Sequence, residues 1–176
     1  MTILLTGATG FVGRQVAARF IADGTPLRIA VRDRDRAPAG ASFFPIGDLS
    51  GAIAWNPALS GVETVIHLAA RVHVMHEEAR DPLAAYRAVN RDATLTLARA
   101  ASVAGVKRFV YISSIKVNGE RTDGRPFTAD DKPHPADTYG ISKWEAEEGL
   151  RALAQETGLE VVVIRPPLVY GPGAGG

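Results

Sequence analysis

The chain has 176 residues, enough for one domain and short of two, since domains cluster near ~100 to 150 residues. Its 46% hydrophobic and 22% charged residues exclude disorder and fibrous repeats, and 20 Lys and Arg against 19 Asp and Glu leave +1, no general field for nucleic acid or an anionic membrane. With no cysteine there is no disulfide, thiolate nucleophile or zinc-cysteine cluster; no apolar run nears the ~18 residues of a membrane span, and an untargeted cytoplasmic setting is expected, with neither nucleic acid nor membrane as partner.

Short β-branched runs alternate with longer helical patterns, the signature of an α/β protein whose parallel sheet is covered by helices on both faces. The first strand is expected over Thr2–Thr6, followed by a helix from Gly10 that carries Val12, Val16 and Phe20 on one stripe and ends at Asp23-Gly24. Strands two to four are expected over Leu27–Val31, Phe43–Ile46 and Val62–His67. A long helix from about Asp81 to Ala104 places Tyr86, Asn90, Ala93, Leu97, Ala100 and Ala104 on one face. A fifth strand over Arg108–Ser113, a helix over Asp137–Thr157 with Tyr139, Lys143, Ala146, Leu150 and Leu153 aligned, and a sixth strand over Glu160–Arg165 complete the pattern. The irregular stretches 32–42, 71–80 and 118–136 each follow a strand, where open α/β sheets place their ligand crevice.

Thr6-Gly7-Ala8-Thr9-Gly10-Phe11-Val12-Gly13 joins the first strand to the first helix. Glycine at three such positions permits a tight turn, close approach of a pyrophosphate to the backbone and close helix-strand packing, and the helix N-terminus offers free N–H groups. Tyr139 and Lys143 lie four residues apart, so both project from one helix face. A phenol with a pKa near ~10 is a poor base, and a neighbouring ammonium is expected to bring it down toward working range. Asn90 interrupts an apolar stripe and is either a buried amide serving nearby backbone or a ligand contact. His67 ends an apolar strand and reads as core; His73 and His76, three apart with no third ligand in view, read as loop histidines, and no metal is expected.

Together these segments resemble the short-chain dehydrogenase/reductase superfamily, and within it the extended NAD-dependent epimerase/dehydratase family. The turn resembles T-G-x-x-G-x-x-G; Asp48-Leu49 resembles the acid-apolar pair that meets adenine; His67-Leu68-Ala69-Ala70 resembles the H-x-A-A segment; Tyr139-Gly140-Ile141-Ser142-Lys143 matches Y-x-x-x-K; and 165–173 resembles R-P-x-x-V-Y-G-P-G. The resemblance implies a doubly wound Rossmann fold of about six mostly parallel strands in the order 3-2-1-4-5-6. It further implies catalysis by Ser114, Tyr139 and Lys143, and a dinucleotide held by Gly7, Gly10, Phe11, Val12, Gly13, Arg32, Asp48, Leu49, Leu68, Ala69, Ala70, Asn90, Ser113, Tyr139, Lys143 and Pro167. Ser114 takes the substrate-facing hydroxyl and Ser113 the cofactor-facing one.

NAD-selective members end the second strand with an acid that binds the ribose hydroxyls, whereas here Val31 takes that place and Arg32 follows, which shifts the expectation from NAD to NADP. Dehydratases carry Asp-Glu directly after the catalytic hydroxyl, where this chain has Ile115-Lys116, so a dehydratase is disfavoured. The implied activity is a UDP-hexose 4-epimerase-like reaction on a nucleotide sugar, UDP-linked by resemblance; the alternatives are an NAD(P)H-dependent reductase of a UDP-4-keto-6-deoxy sugar and a non-catalytic dinucleotide-binding sensor. Family members continue beyond this point, so residues 1–176 are expected to form the NAD(P)-binding domain, with the carboxyl-terminal substrate domain absent from the chain and a homodimer left open.

Overall fold

A computed structural model describes residues 1–72, 79–122 and 124–173. Six parallel strands, β1 (Thr2–Thr6), β2 (Leu27–Val31), β3 (Ser42–Pro45), β4 (Val62–His67), β5 (Arg108–Ile112) and β6 (Glu160–Ile164), form one sheet in the order β3-β2-β1-β4-β5-β6. The order reverses between β1 and β4, so the chain leaves these neighbours in opposite directions and opens a crevice at their carboxyl ends.

Alternation along β1 divides the core. Ile3 and Leu5 pack with Ile29, Val31 and Ala17 of α1 (Phe11–Ala22), whereas Leu4 joins the opposite layer with Val65, Phe109 and Tyr111. That second layer is closed by α2 (Asn56–Leu59), α4 (Ala93–Val103) and α5 (Thr138–Thr157) through Leu59, Leu97, Ala101, Ala146 and Leu150. A fully buried leucine such as Leu97 contributes on the order of 1.5–3 kcal/mol, and truncating it leaves a cavity in addition.

Several boundaries differ from the sequence expectation. The third strand runs one residue earlier, and β5 and β6 stop at Ile112 and Ile164, because the chain next turns through Ser114 into a 3₁₀ turn at Ile115–Val117 and through Arg165 into Pro166. Helix α2, with Pro57 in its first turn, was not foreseen. The helix expected over 81–104 is divided: Asp81 caps α3 (Pro82–Arg87) by accepting from the Ala84 N–H at 3.0 Å, a π turn occupies Ala88–Asp92, and α4 follows. The buried face of α4 runs through Ala93, Thr94, Leu97, Ala98 and Ala101, with Ala100 half-buried against the same core as expected, while Ala104 is exposed, against the stripe expected for it.

Candidate active site

A cleft of about 650 Å³ opens over the carboxyl ends of β1, β2, β4 and β5. Its floor is the turn after β1. Gly7 has φ +73°, and a Cβ there would lie 2.6 Å from the Ala69 nitrogen; a Cβ on Gly13 would lie 2.0 Å from the Gly7 carbonyl oxygen. Both glycines are therefore demanded by the protein's own packing. Gly10 is not, since its Cβ would meet only the Gly7 oxygen at 3.4 Å, and the residue lines the cleft. Gly10 also begins α1 with no side-chain cap, which leaves first-turn N–H groups to a phosphate.

Helix α5 supplies the opposite wall. Asp137 caps it, accepting from the Gly140 N–H at 2.6 Å, and Tyr139 and Lys143 follow on the face that meets the cleft. The Tyr139 hydroxyl shares a hydrogen bond with Ser114, whose own oxygen accepts from the Lys116 N–H at 3.2 Å. Lys143 is fully buried; its Nζ donates to the Ile112 carbonyl at 2.6 Å and lies 4.1 Å from the centroid of the Tyr111 ring. Burial lowers Lys143 to about 7, opposed by the charge of Glu147 one turn further along. Tyr139 is raised above the ordinary phenol value, chiefly by burial and further by Asp137 and Tyr86, while the Ser114 hydrogen bond and the Lys116 charge pull it down. This corrects the expectation that Lys143 sets the phenol low: the lysine's donor is directed to Ile112, and the desolvation of Tyr139 outweighs the favourable contacts.

Two buried networks hold these groups. In the first, the Ala69 N–H donates to Thr6 Oγ1 at 3.3 Å, and Thr6 Oγ1 meets His67 Nδ1 at 2.6 Å. His67 Nε2 meets Thr94 Oγ1 at 2.9 Å, and that hydroxyl donates to the Asn90 carbonyl at 2.8 Å. Donor directions along this chain assign His67 the neutral Nε2–H tautomer, consistent with burial and Lys143 lowering its pKa to about 3. In the second network, Glu147 is fully buried and accepts from Ser113 Oγ at 2.5 Å and from Arg165 at 2.9 and 2.6 Å, while Arg165 also reaches Asn118 Oδ1 at 3.1 Å.

Every residue predicted to contact the cofactor or substrate lines the cleft except Asn90. Asn90 is buried behind it, accepting from the Arg71 N–H at 2.8 Å and donating to the Arg71 carbonyl and to Ser142 Oγ, each at 3.0 Å. Of its two readings, the geometry is that of an amide serving nearby backbone. Ser113 lines the cleft, but its hydroxyl is directed to Glu147. Arg32 stands at the mouth beside Val31 and Asp48; Asp33, the nearest acid in sequence, accepts from the Asp35 N–H at 3.0 Å. Asp48 is lowered by its Ser50 hydrogen bonds and the Arg32 charge. None of the described residues of the segment 118–136 borders this cleft; Asn118, Phe127, Thr128 and Ala129 instead line a separate cavity of about 350 Å³. Sequence reasoning missed Lys116, Glu147 and Arg165; Glu147 was signalled only by its spacing of four beyond Lys143. His73 and His76 lie outside the described residues, among which no group of three potential metal ligands occurs and no helix is long and apolar enough to cross a membrane.

The model of the NAD dependent epimerase/dehydratase family matches residues 3–176. The chain is 46% identical over 174 residues to a UDP-glucose 4-epimerase of Vibrio cholerae, covering 98% of this chain and 53% of the relative. It is 33% identical to N-acetyl-alpha-D-glucosaminyl-diphospho-ditrans,octacis-undecaprenol 4-epimerase of Escherichia coli O157:H7, covering 96% of this chain and 49% of that one. The chain thus spans about half the length of the curated relatives it matches. Among solved structures, a short-chain dehydrogenase/reductase superfamily protein from Agrobacterium tumefaciens with bound NAD superposes with a TM-score of 0.81 at 33% identity, covering 94% of this chain and 48% of that one. The UDP-glucose 4-epimerase of Thermotoga maritima with UDP-glucose gives 0.79 at 27% identity, covering 94% and 55%.

Proposed function

The chain belongs to the NAD-dependent epimerase/dehydratase family, and from that premise we propose that it is the dinucleotide-binding part of a nucleotide-sugar 4-epimerase acting on a UDP-hexose. The observation that carries the reading is the junction of Ser114, Tyr139 and Lys143 at one end of a cleft whose other end is the uncapped turn at Gly10. That cleft fits a dinucleotide: the glycine turn and the start of α1 would take the pyrophosphate, Asp48 and Leu49 the adenine, and the wall of Lys143 and Pro167 the nicotinamide end. The cofactor when bound supplies hydride acceptance and return at a ring carbon. Tyr139 would exchange the proton of the sugar hydroxyl and Ser114 would orient the reacting oxygen, while Lys143, lowered by burial to about 7, carries its charge in only part of the molecules at neutral pH.

NADP is the preferred dinucleotide in this reading, because Arg32 can pair with a 2′-phosphate, the Val31 side chain accepts nothing, and Asp33, one of whose oxygens is held by its own turn, does not line the cleft. The sugar's nucleotide is assigned to sequence outside these 176 residues, consistent with relatives about twice as long. Calorimetry with NADP and NAD, together with chromatographic analysis of UDP-glucose, UDP-galactose and their N-acetyl forms, tests the proposal. Dinucleotide binding with little turnover is expected. Failure to bind either dinucleotide would remove the assignment of the cleft, and robust multiple turnover would remove the assignment of the sugar site to sequence beyond the chain.

A further inference from the structure

Lys116 sits on the short turn between β5 and the loop that leads to α5, and three of its groups serve the junction of Tyr139 and Ser114. Its ammonium donates to Asp137 Oδ2 at 2.6 Å and to Glu120 Oε1 at 3.1 Å. Asp137 is the residue whose other oxygen caps α5 at Gly140, so the ion pair fixes the first turn of the helix that carries Tyr139. The Lys116 N–H occupies an acceptor site of Ser114 Oγ at 3.2 Å, which leaves the serine proton to be donated toward Tyr139. The Lys116 carbonyl packs so closely on α5 that a Cβ at Gly140 would lie 2.9 Å from it. The side chain is only 28% exposed, and the pair lies within the electrostatic surroundings of the phenol.

We propose that Lys116 is a positioning residue for the acid/base pair: one residue clamps the capped start of α5 and the Ser114 hydroxyl together, and presents a cation to Tyr139 through the Asp137 pair. The inference rests on the reading of Tyr139 as the proton-carrying group. Lys116 occupies a position that serves no cleft contact, so its effect reaches the reacting oxygen only through Tyr139 and Ser114. Among the described residues, the groups that act on the phenol include Ser114 and Lys116 from the β5 turn, Asp137 from its own segment, Tyr86 with its ring edge-on at 6.2 Å, and Tyr111 from β5. Within this set the two members of the ion pair act on Tyr139 with opposite sign: Lys116 favours the phenolate and Asp137 opposes it.

That opposition supplies a test that a purely structural role would fail. The chain has four tyrosines, so labelling the hydroxyl-bearing ring carbon and following its resonance with pH, with Tyr139→Phe to assign the signal, reads the ionisation of Tyr139 directly. Lys116→Met keeps the peptide contacts and removes the cation; its midpoint should rise. Asp137→Asn keeps a good cap and removes the anion; its midpoint should fall. Lys116→Arg should restore the parent value. Shifts in the same direction for the Met and Asn variants, or no shift in either, would overturn the proposal, since loosening of α5 acts alike whichever partner is removed. The titration uses no substrate, so loss of the epimerase reading through absent turnover would leave this inference to stand or fall on its own data.

Discussion

Asn90 donates to Ser142 Oγ at 3.0 Å, and that hydroxyl donates in turn to the Tyr139 carbonyl at 2.8 Å. The π turn after α3 is thereby tied to the first turn of α5. The same amide accepts from and donates to the Arg71 backbone, so one side chain fixes the loop beyond β4 and the helix bearing Tyr139. Replacement by alanine leaves buried groups unpaired at about 1–3 kcal/mol each. Asn90→Ala should therefore lower urea-unfolding stability by at least that amount while leaving the chemistry of the cleft lining unaltered. A variant as stable as the parent would show that the network carries no net stabilisation.

The strands were legible because parallel strands buried on both faces read as short continuous β-branched runs, and Val62–His67 needed no more than that. The meeting of Tyr139 and Lys143 on one face of α5 was legible because a spacing of four fixes a shared helix face, whereas the role proposed for them came from the family resemblance. The π turn was not: it adds backbone without changing the apolar letters, so the stripe was extended to Ala104, which is exposed, while Ala101, outside that stripe, is buried. Nor was the direction of the Tyr139 shift, since spacing gives proximity to Lys143 but says nothing of how deeply the phenol is buried or where the ammonium points. Lys116 with Asp137 and Glu147 with Arg165 are separated by 21 and 18 residues, and such pairs become visible only once the sheet has brought the loops together.

Gly13→Ala should damage both stability and dinucleotide binding. The added methyl would lie 2.0 Å from the Gly7 oxygen, a backbone atom that moves only if the turn opens. Overpacking of this kind typically costs about 1–3 kcal/mol, and here the displaced atoms are those proposed to cradle the pyrophosphate. Thermal unfolding together with a dinucleotide titration checks it; unchanged affinity would mean that the turn is not the phosphate site.

His67 should make the fold acid-sensitive in a defined window. Burial first, and the Lys143 charge second, hold its folded pKa at about 3 against an ordinary 6.5. Between those values the unfolded chain binds a proton that the folded chain refuses, so this contribution is complete above pH 6.5 and is lost as the pH falls toward 3. The loss amounts to a few kcal/mol at most. Lys143 acts in a separate, higher window, between its ordinary 10.5 and about 7. His67→Gln should be less stable than the parent at neutral pH, and the gap should narrow on acidification. Parallel stability profiles for the two chains would exclude His67 as the titrating group.

Arg32→Asp should reverse the choice of dinucleotide. In the parent chain the first acid after β2, Asp33, accepts from the Asp35 N–H through Oδ1 and does not line the cleft, and Val31 offers no acceptor side chain. Arg32 lines the cleft beside Val31 and, as a planar fork of donors, suits a 2′-phosphate. A charge-assisted hydrogen bond is worth about 1.5–3 kcal/mol, so its loss should weaken NADP binding roughly tenfold to a hundredfold. An aspartate at the same place repels that phosphate and accepts from the free hydroxyls of NAD, which should strengthen NAD binding in the same variant. Asp48 supplies a control: its carboxylate also lies near Arg32 but is bonded to Ser50, so Asp48→Asn should alter the affinity for both dinucleotides in the same direction. Calorimetric titration of parent and variants with each dinucleotide at fixed salt decides the matter, because the charge term is screened as ionic strength rises. If the parent bound NAD and NADP equally well, or if Arg32→Asp weakened both alike, the guanidinium would not be reading a 2′-phosphate.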